Sequence, residues 1–198
     1  MREAIGGAQP FQEAIDFFRQ KVNVPSERWT DIWQGAHTRA FTVAGATHEA
    51  ILADFRSSID RAISEGRTLK DFQRDFDEIV AKHGWSYKGT REWRTRVIYK
   101  TNLRTAYVAG RHRQMTDPKV LNRRPFWEYV HGDSENPRPK HLGWDNLVLR
   151  HDDAWWETNY PPNGWGCSCF VRALSKRNLE RRGKTGPDGA PPLNSRQV

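Results

Sequence analysis

Pro161-Pro162-Asn163-Gly164-Trp165-Gly166-Cys167-Ser168-Cys169 decides how the rest of this chain is read. The stretch holds both cysteines of the 198-residue sequence, separated by one serine. Residues of the same character run back to Trp127: the segment Tyr129-Val130-His131-Gly132-Asp133, then His141, Trp144-Asp145-Asn146, His151-Asp152-Asp153 and Trp155-Trp156. Such a density of Trp, Pro, Gly, His and Cys is ordered only where many contacts offset the chain entropy. It predicts a compact, stapled unit.

A Cys-x-Cys pair on a strand places both sulfurs on one face, about 6.6 Å apart along the backbone, within reach of one ion. Zinc favours Cys and His in a tetrahedral set. His141, 26 residues before Cys167, is the first candidate partner, and His131, His151, Asp133 and Asp153 are others that could complete the set. The competing reading is two buried thiols beside a hydrogen-bonded histidine. A structural zinc on His141, Cys167 and Cys169 is therefore one expectation and no cofactor the other. Two cysteines make no disulfide framework, and this spacing does not favour a bridge between them.

Around this stretch, Pro125 to Val130, Asn146 to Arg150 and Cys167 to Arg172 have the length and composition of short strands, with Phe126, Glu128 and Val130 alternating against Trp127 and Tyr129. The first 85 residues have a different period. Phe11, Ile15, Phe18 and Val22 recur at helical spacing, as do Ile51, Phe55, Ile59 and Ile63 up to Gly66. Thr68 with Asp71 three residues on marks a helix start, Phe72, Phe76 and Ile79 give the next stripe, and Gly84 stops it. A shorter helix is expected between Glu27 and Val43, before a turn at Gly45. Thr90 caps a long helix from about Arg91 to Met115, in which Gly110 is a weak point, and Asp117-Pro118 ends it. From Gly183 onward, Gly, Pro and polar residues predict an extended or disordered tail.

The expected fold class is α+β: an N-terminal helical region, then a long basic helix packed on a small, mostly antiparallel sheet with long ordered loops. The expected divisions are 1–88, 89–175 and a basic tail, 176–198.

Formal net charge is +8. Residues 91–113 carry seven Lys/Arg against one Glu, and residues 172–198 seven against two acids, so these segments hold the whole excess. Clustered positive charge suits a polyanion or an acidic protein surface. Arg94, Arg96, Arg104, Arg111 and Arg113 are the candidate DNA contacts. Phe11, Phe18, Trp29 and Trp33 are the candidate docking residues for a protein partner. No apolar run approaches the roughly 18 residues of a membrane span, so no membrane partner is expected. The first residues lack the apolar stretch of a secretory signal, which predicts a protein made in the cytosol.

Catalytic patterns are sparse. There is no phosphate loop, dinucleotide fingerprint or zinc-protease helix. Asp145 and Asp152-Asp153 could serve as acid, base or magnesium ligands, and Cys167 with His141 as nucleophile and base, but acidic pairs in Trp-rich loops more often cap turns. No catalytic residue is assigned. The enzyme alternative is a metal-dependent nuclease or toxin-like domain on His141, Asp153 and the cysteines; a general nucleic-acid-binding protein is a second alternative.

One combination resembles a known family: Arg138-Pro139 with His141, Trp144 to Leu149, Asp152-Asp153-Ala154-Trp155, and Pro161 to Cys169. Upstream, Trp93-Arg94, Thr101-Asn102, Ala106 to Arg111, His37 to Phe41 and Trp29-Thr30-Asp31 fit as well. These resemble the phage Mu F-like minor head proteins, also called head morphogenesis proteins, with the SPP1 gene-7-product proteins as distant members. The resemblance covers nearly the whole chain. Two departures stand out: the family usually has Gly where Asn146 stands, and often Arg where Ser168 stands. The first asks for a left-handed turn that Asn also adopts. Members often continue past this point, so the chain is expected to be a shortened form or a short member. The resemblance implies a virion component, not an enzyme: a bacteriophage minor head protein, assembled in the host cytoplasm, associated with portal or capsid protein. It implies a part in capsid assembly, DNA packaging or ejection, a role in which the Arg-rich helix could face the phosphates of double-stranded DNA.

Overall fold

The computed structural model describes residues 11–28, 30–31, 39–134, 136–164 and 166–192. It is α+β, and it divides into two units, residues 1–111 and 112–198.

In the first unit, helix α1 (Gln12–Arg19) leads into a two-residue strand, β1 (Val22–Asn23), paired in parallel with β2 (Ala40–Phe41). Helices α2 (Glu49–Glu65) and α3 (Leu69–His83) follow, and then α4 (Arg91–Met115), which lies in this unit as far as Arg111. The boundaries of α2 and α3 follow from local chemistry. Gly66 ends α2 in the left-handed conformation, and Gly84 does the same for α3. At the start of α3 the Thr68 hydroxyl accepts the Asp71 amide while the Asp71 carboxylate accepts the Thr68 amide, a complete capping box.

The apolar stripes meet in one core that holds Phe18, Phe41, Leu52, Phe55, Ile59, Phe72 and Phe76. Phe76 packs against Phe55, Trp85 and Tyr87 with ring centroids 5.5, 6.1 and 5.1 Å away. Helix α4 contributes Ile98 and Ala106 to this core, so residues 91–111 fold with the helical unit. The division therefore falls at 111/112 and not at 88/89, and most of the long helix packs on helices. Gly110 has a packing reason. A Cβ there would lie 2.8 Å from the Ala14 backbone nitrogen, so only glycine lets α1 approach α4 this closely.

Two local expectations fail here. Val22 is the exposed first residue of β1, not the last turn of a helix stripe, because α1 ends at Arg19. The helix expected over 27–43 is replaced at its end by β2, and at its start the Glu27 and Arg28 amides both donate to the Asp31 carboxylate in a turn. Residues 29 and 32–38 lie outside the described residues.

The second unit starts with the last turn of α4, whose His112 ring lies 5.6 Å from Trp127 and whose Met115 is buried in the second core. Helix α5 (Pro118–Arg123), capped by the Asp117 carboxylate, precedes a three-stranded antiparallel sheet. Strand β3 (Phe126–Val130) is central between β4 (Val148–Arg150) and β5 (Phe170–Leu174). Short helices α6 (Pro139–Gly143), α7 (Trp155–Asn159) and α8 (Lys176–Glu180) lie in the connections and after the sheet. One sheet face carries Trp127, Tyr129, Leu149, Val171 and Ala173 into a core with Trp144, Trp155, Trp156 and both cysteines. The other face carries Phe126, Val148 and Leu174 beneath Leu179 of α8. Both faces are thus covered, and Glu128, paired by register with Val148 and Arg172, is buried with them.

The tail departs from the extended expectation. Ser175 caps α8, and Leu179 enters the core. Farther on, the Val148 amide donates to the Asp188 carboxylate at 2.8 Å, and the Asp188 amide donates to the Val148 carbonyl at 2.7 Å. Lys184 holds the same carboxylate. The outer edge of β4 is thereby occupied at Val148 by residue 188.

Candidate metal centre

Helix α6 places His141, and the loop entering β5 places Cys167 and Cys169. Proline at the first turn of α6 fixes the helix start, and the His141 amide bonds the Arg138 carbonyl. The loop before β5 turns at Gly164 and Gly166, both in the left-handed region, and contains a cis Pro161-Pro162 bond. All three side chains are buried, at 4% for His141, 4% for Cys167 and 1% for Cys169.

Both sulfurs point at one nitrogen. His141 Nδ1 lies 3.8 Å from Cys167 Sγ and 3.7 Å from Cys169 Sγ, and one ligand atom from each residue falls within 4.8 Å of the others. Both thiols are free. Trp144 stacks on the imidazole with ring centroids 5.6 Å apart and planes 15° apart, and the Lys140 ammonium lies over Trp144. The Tyr129 hydroxyl and the Gly132 amide also reach Cys169. Gly132 can do so because it has no side chain: a Cβ there would stand 2.1 Å from the Ser168 carbonyl oxygen.

The thiols titrate as a pair. Hydrogen bonding between them, with burial, raises Cys167, while the same bond, helped by Tyr129 and Gly132, lowers Cys169. Burial lowers His141, keeping the imidazole neutral, and burial with the Cys169 contact raises Tyr129.

The other residues named as completing ligands are not in this cluster, and Asp153, with the acids Asp145 and Asp152 named for catalysis, makes local contacts instead. Asp153 accepts the Trp155 amide at the start of α7, Asp145 accepts the His131 amide, and Asp152 pairs with Arg150. His151 packs near Trp127, and Asp133 is exposed. Among the described residues the set is His141, Cys167 and Cys169 alone.

The candidate DNA contacts separate by environment. Arg94 is half-buried: it donates to the Ala44 and Lys88 carbonyls, lies over Trp85 and Tyr87, and burial lowers its pKa. It holds the fold together and is not presented to a phosphate. Arg96 and Arg113 are exposed, and Arg104 and Arg111 are half-buried. Of the docking candidates, Phe18 is fully buried and belongs to the core, so it cannot meet a partner. Phe11 is half-buried against Tyr107, at 5.4 Å between centroids. Trp29 and Trp33 lie outside the described residues. Sequence reasoning missed the exposed Trp93 and Tyr107, at 56% and 54%, whose positions on α4 were available from its helical period.

Comparison with known proteins gives two relatives. The chain is 38% identical over 203 residues to the Escherichia phage Mu protein named as its capsid assembly protein F, covering 96% of this chain and 46% of that protein. It is 34% identical over 165 residues to the Mu-like prophage FluMu F protein of Haemophilus influenzae, covering 78% of this chain and 39% of the other. The chain thus spans less than half the length of both relatives. No solved structure matches it. The family model described as Phage Mu protein F like protein matches residues 53–172, which include His141, Cys167 and Cys169. That match takes in well over half of the sequence, and the chain belongs to the phage Mu F-like protein family.

Proposed function

We propose that this chain is a structural part of a phage head, acting in head morphogenesis by docking on portal or capsid protein and contacting double-stranded DNA. The observation that carries the head assignment is the family match across residues 53–172, together with a relative named for capsid assembly. It implies residence in the virion. The burial of His141, Cys167 and Cys169 supports a structural reading over an enzymatic one, since no substrate could reach groups so enclosed without the module opening.

The DNA part rests on one face of α4. At about 100° per residue, Trp93, Arg96, Lys100, Arg104, Tyr107 and Arg111 fall within about 80° of one another. Trp93, Arg96, Lys100 and Tyr107 are exposed. Four cations along one helical face suit a polyanion such as the phosphate backbone of a duplex.

Two experiments test the proposal. Disrupting the gene in its phage should block the formation of DNA-filled heads, with rescue from a plasmid copy; normal particle yield would refute the head role. The purified chain should shift double-stranded DNA at low salt, and Arg96→Glu with Lys100→Glu should weaken that shift by about tenfold or more. An unchanged shift would remove α4 from the DNA contact, and a chain that binds no DNA at low salt would leave protein docking alone.

A further inference from the structure

The geometry points to a zinc(II) site formed by His141 Nδ1, Cys167 Sγ and Cys169 Sγ. Three observations carry it.

The first is distance. At the usual bond lengths, about 2.3 Å to sulfur and about 2.0 Å to nitrogen, tetrahedral angles set sulfur and nitrogen about 3.5 Å apart. The separations of 3.8 and 3.7 Å need only a small contraction to reach that value.

The second is the direction of the lone pair. A neutral imidazole nitrogen that accepts has one lone pair, so it satisfies one S–H donor. Nδ1 can therefore accept from only one of the two sulfurs that lie beside it, and three ligand atoms converging on one point are what a shared ion requires.

The third is charge. On binding, Cys167 and Cys169 each lose a proton to solvent, and two thiolates with neutral His141 balance Zn²⁺, leaving no net charge. Such a centre can be enclosed without a counter-ion, and among the described residues no carboxylate joins the cluster. The surroundings serve the ligands as well: the Tyr129 hydroxyl and the Gly132 amide donate to Cys169, and Trp144 fixes the imidazole plane.

The ion would tie α6 to the loop entering β5 across 26 residues of chain. The unit it would staple has a sheet of only three short strands, where such a cross-link adds most. The site is therefore structural, and the metal is part of the fold.

The test uses the full chain made in zinc-supplemented medium and freed of loose ions. Elemental analysis should find about one zinc per chain. After chelator stripping under reduction, cobalt(II) should give a thiolate-to-cobalt charge-transfer band and the intense visible bands of tetrahedral coordination. In Cys167→Ser/Cys169→Ser, zinc content should fall about tenfold or more and the charge-transfer band should vanish. If that variant fails to fold, the cobalt spectrum of the unaltered chain decides. A chain with less than about a tenth of an equivalent of zinc and no cobalt bands overturns the site, as does equal zinc in the double variant, which would mean an adventitious ion only. Because the metal is read on the isolated chain, a negative result leaves the head-assembly reading standing.

Discussion

Gly132 and Ser168 touch backbone to backbone: a Cβ on residue 132 would stand 2.1 Å from the Ser168 carbonyl oxygen. This contact carries the end of β3 past the cysteine loop and brings the Gly132 amide to Cys169. Neither side can yield, since the obstacle is main chain. Gly132→Ala should cost about 3 kcal/mol or more. Gly143→Ala, where nothing lies within 4 Å, is the control and should be close to neutral. Denaturant unfolding of both variants checks this, and equal stability would mean that the loop moves aside without penalty.

The carboxylate of Glu128, on the central strand, pairs with Arg182 from beyond α8 and lies 3.6 Å from Arg172 across the β3–β5 register. Glu128 is 1% exposed, and its Oε2 has no hydrogen-bond partner. Removing Arg182 leaves the buried carboxylate with Arg172 alone, at 3.6 Å. Arg182→Ala should destabilise the second unit by about 2–4 kcal/mol, with the lower end favoured because Arg182 is itself a third exposed. Glu128→Gln, which removes the charge and keeps the shape, should recover part of that loss in the Arg182→Ala background. Additive effects in a double-mutant cycle would refute the pairing.

In the first unit, Asp75 gathers Ser58, Arg61 and Arg67 around one carboxylate. Burial raises its pKa, but the Ser58 hydroxyl and the two guanidinium groups outweigh burial and hold it below the ordinary carboxylate range. A carboxylate depressed in the folded state stabilises the fold above its unfolded value, about 3.9, and this contribution fades as pH falls through the folded value. Asp75→Asn should therefore lower the melting temperature at neutral pH, by an amount corresponding to about 2–3 kcal/mol. The gap between variant and unaltered chain should close below about pH 4. A gap that persists at low pH would show that packing, not charge, makes the difference.

What the sequence revealed and what it concealed divide along the range of the interactions. The capping box of Thr68 and Asp71, the stops at Gly66 and Gly84, and the span of α4 from Arg91 to Met115 are set within a few residues. They could be located from spacing alone. The pairing of Val22 with Ala40 depends on chain brought back from a distance, so Val22 looked like one more turn of a helix. Glu128 alternates with aromatic residues like any solvent-facing strand residue. Only Val148, Leu174 and Leu179 on that face make it buried, and Leu179 comes from a tail whose composition suggested disorder. For the His141 and cysteine cluster, residue types and the Cys-x-Cys spacing were enough to name the three members. Their convergence on Nδ1 was not visible, because it depends on the path of the loop through Gly164 and Gly166.

Asn146 puts this contrast to a measurable test. Among the described residues it is the one non-glycine with positive φ, at 65°, and its amide donates to the Tyr129 carbonyl at 2.9 Å. The turn thus hands the chain from α6 to β4 while bonding the strand that carries Tyr129, next to the cysteine cluster. Asparagine tolerates the left-handed region better than other residues with a Cβ, and glycine better still. Asn146→Gly should be neutral within about 0.5 kcal/mol, because relief of backbone strain offsets the loss of the bond from Asn146 Nδ2 to Asp145. Asn146→Ala should cost about 1 kcal/mol, and Asn146→Val more, since a β-branched side chain worsens the same clash. Thermal unfolding of the three variants reads the order directly. If Asn146→Ala matched Asn146→Gly, the turn would be held by its hydrogen bonds alone, and the backbone conformation would impose no selection at this position.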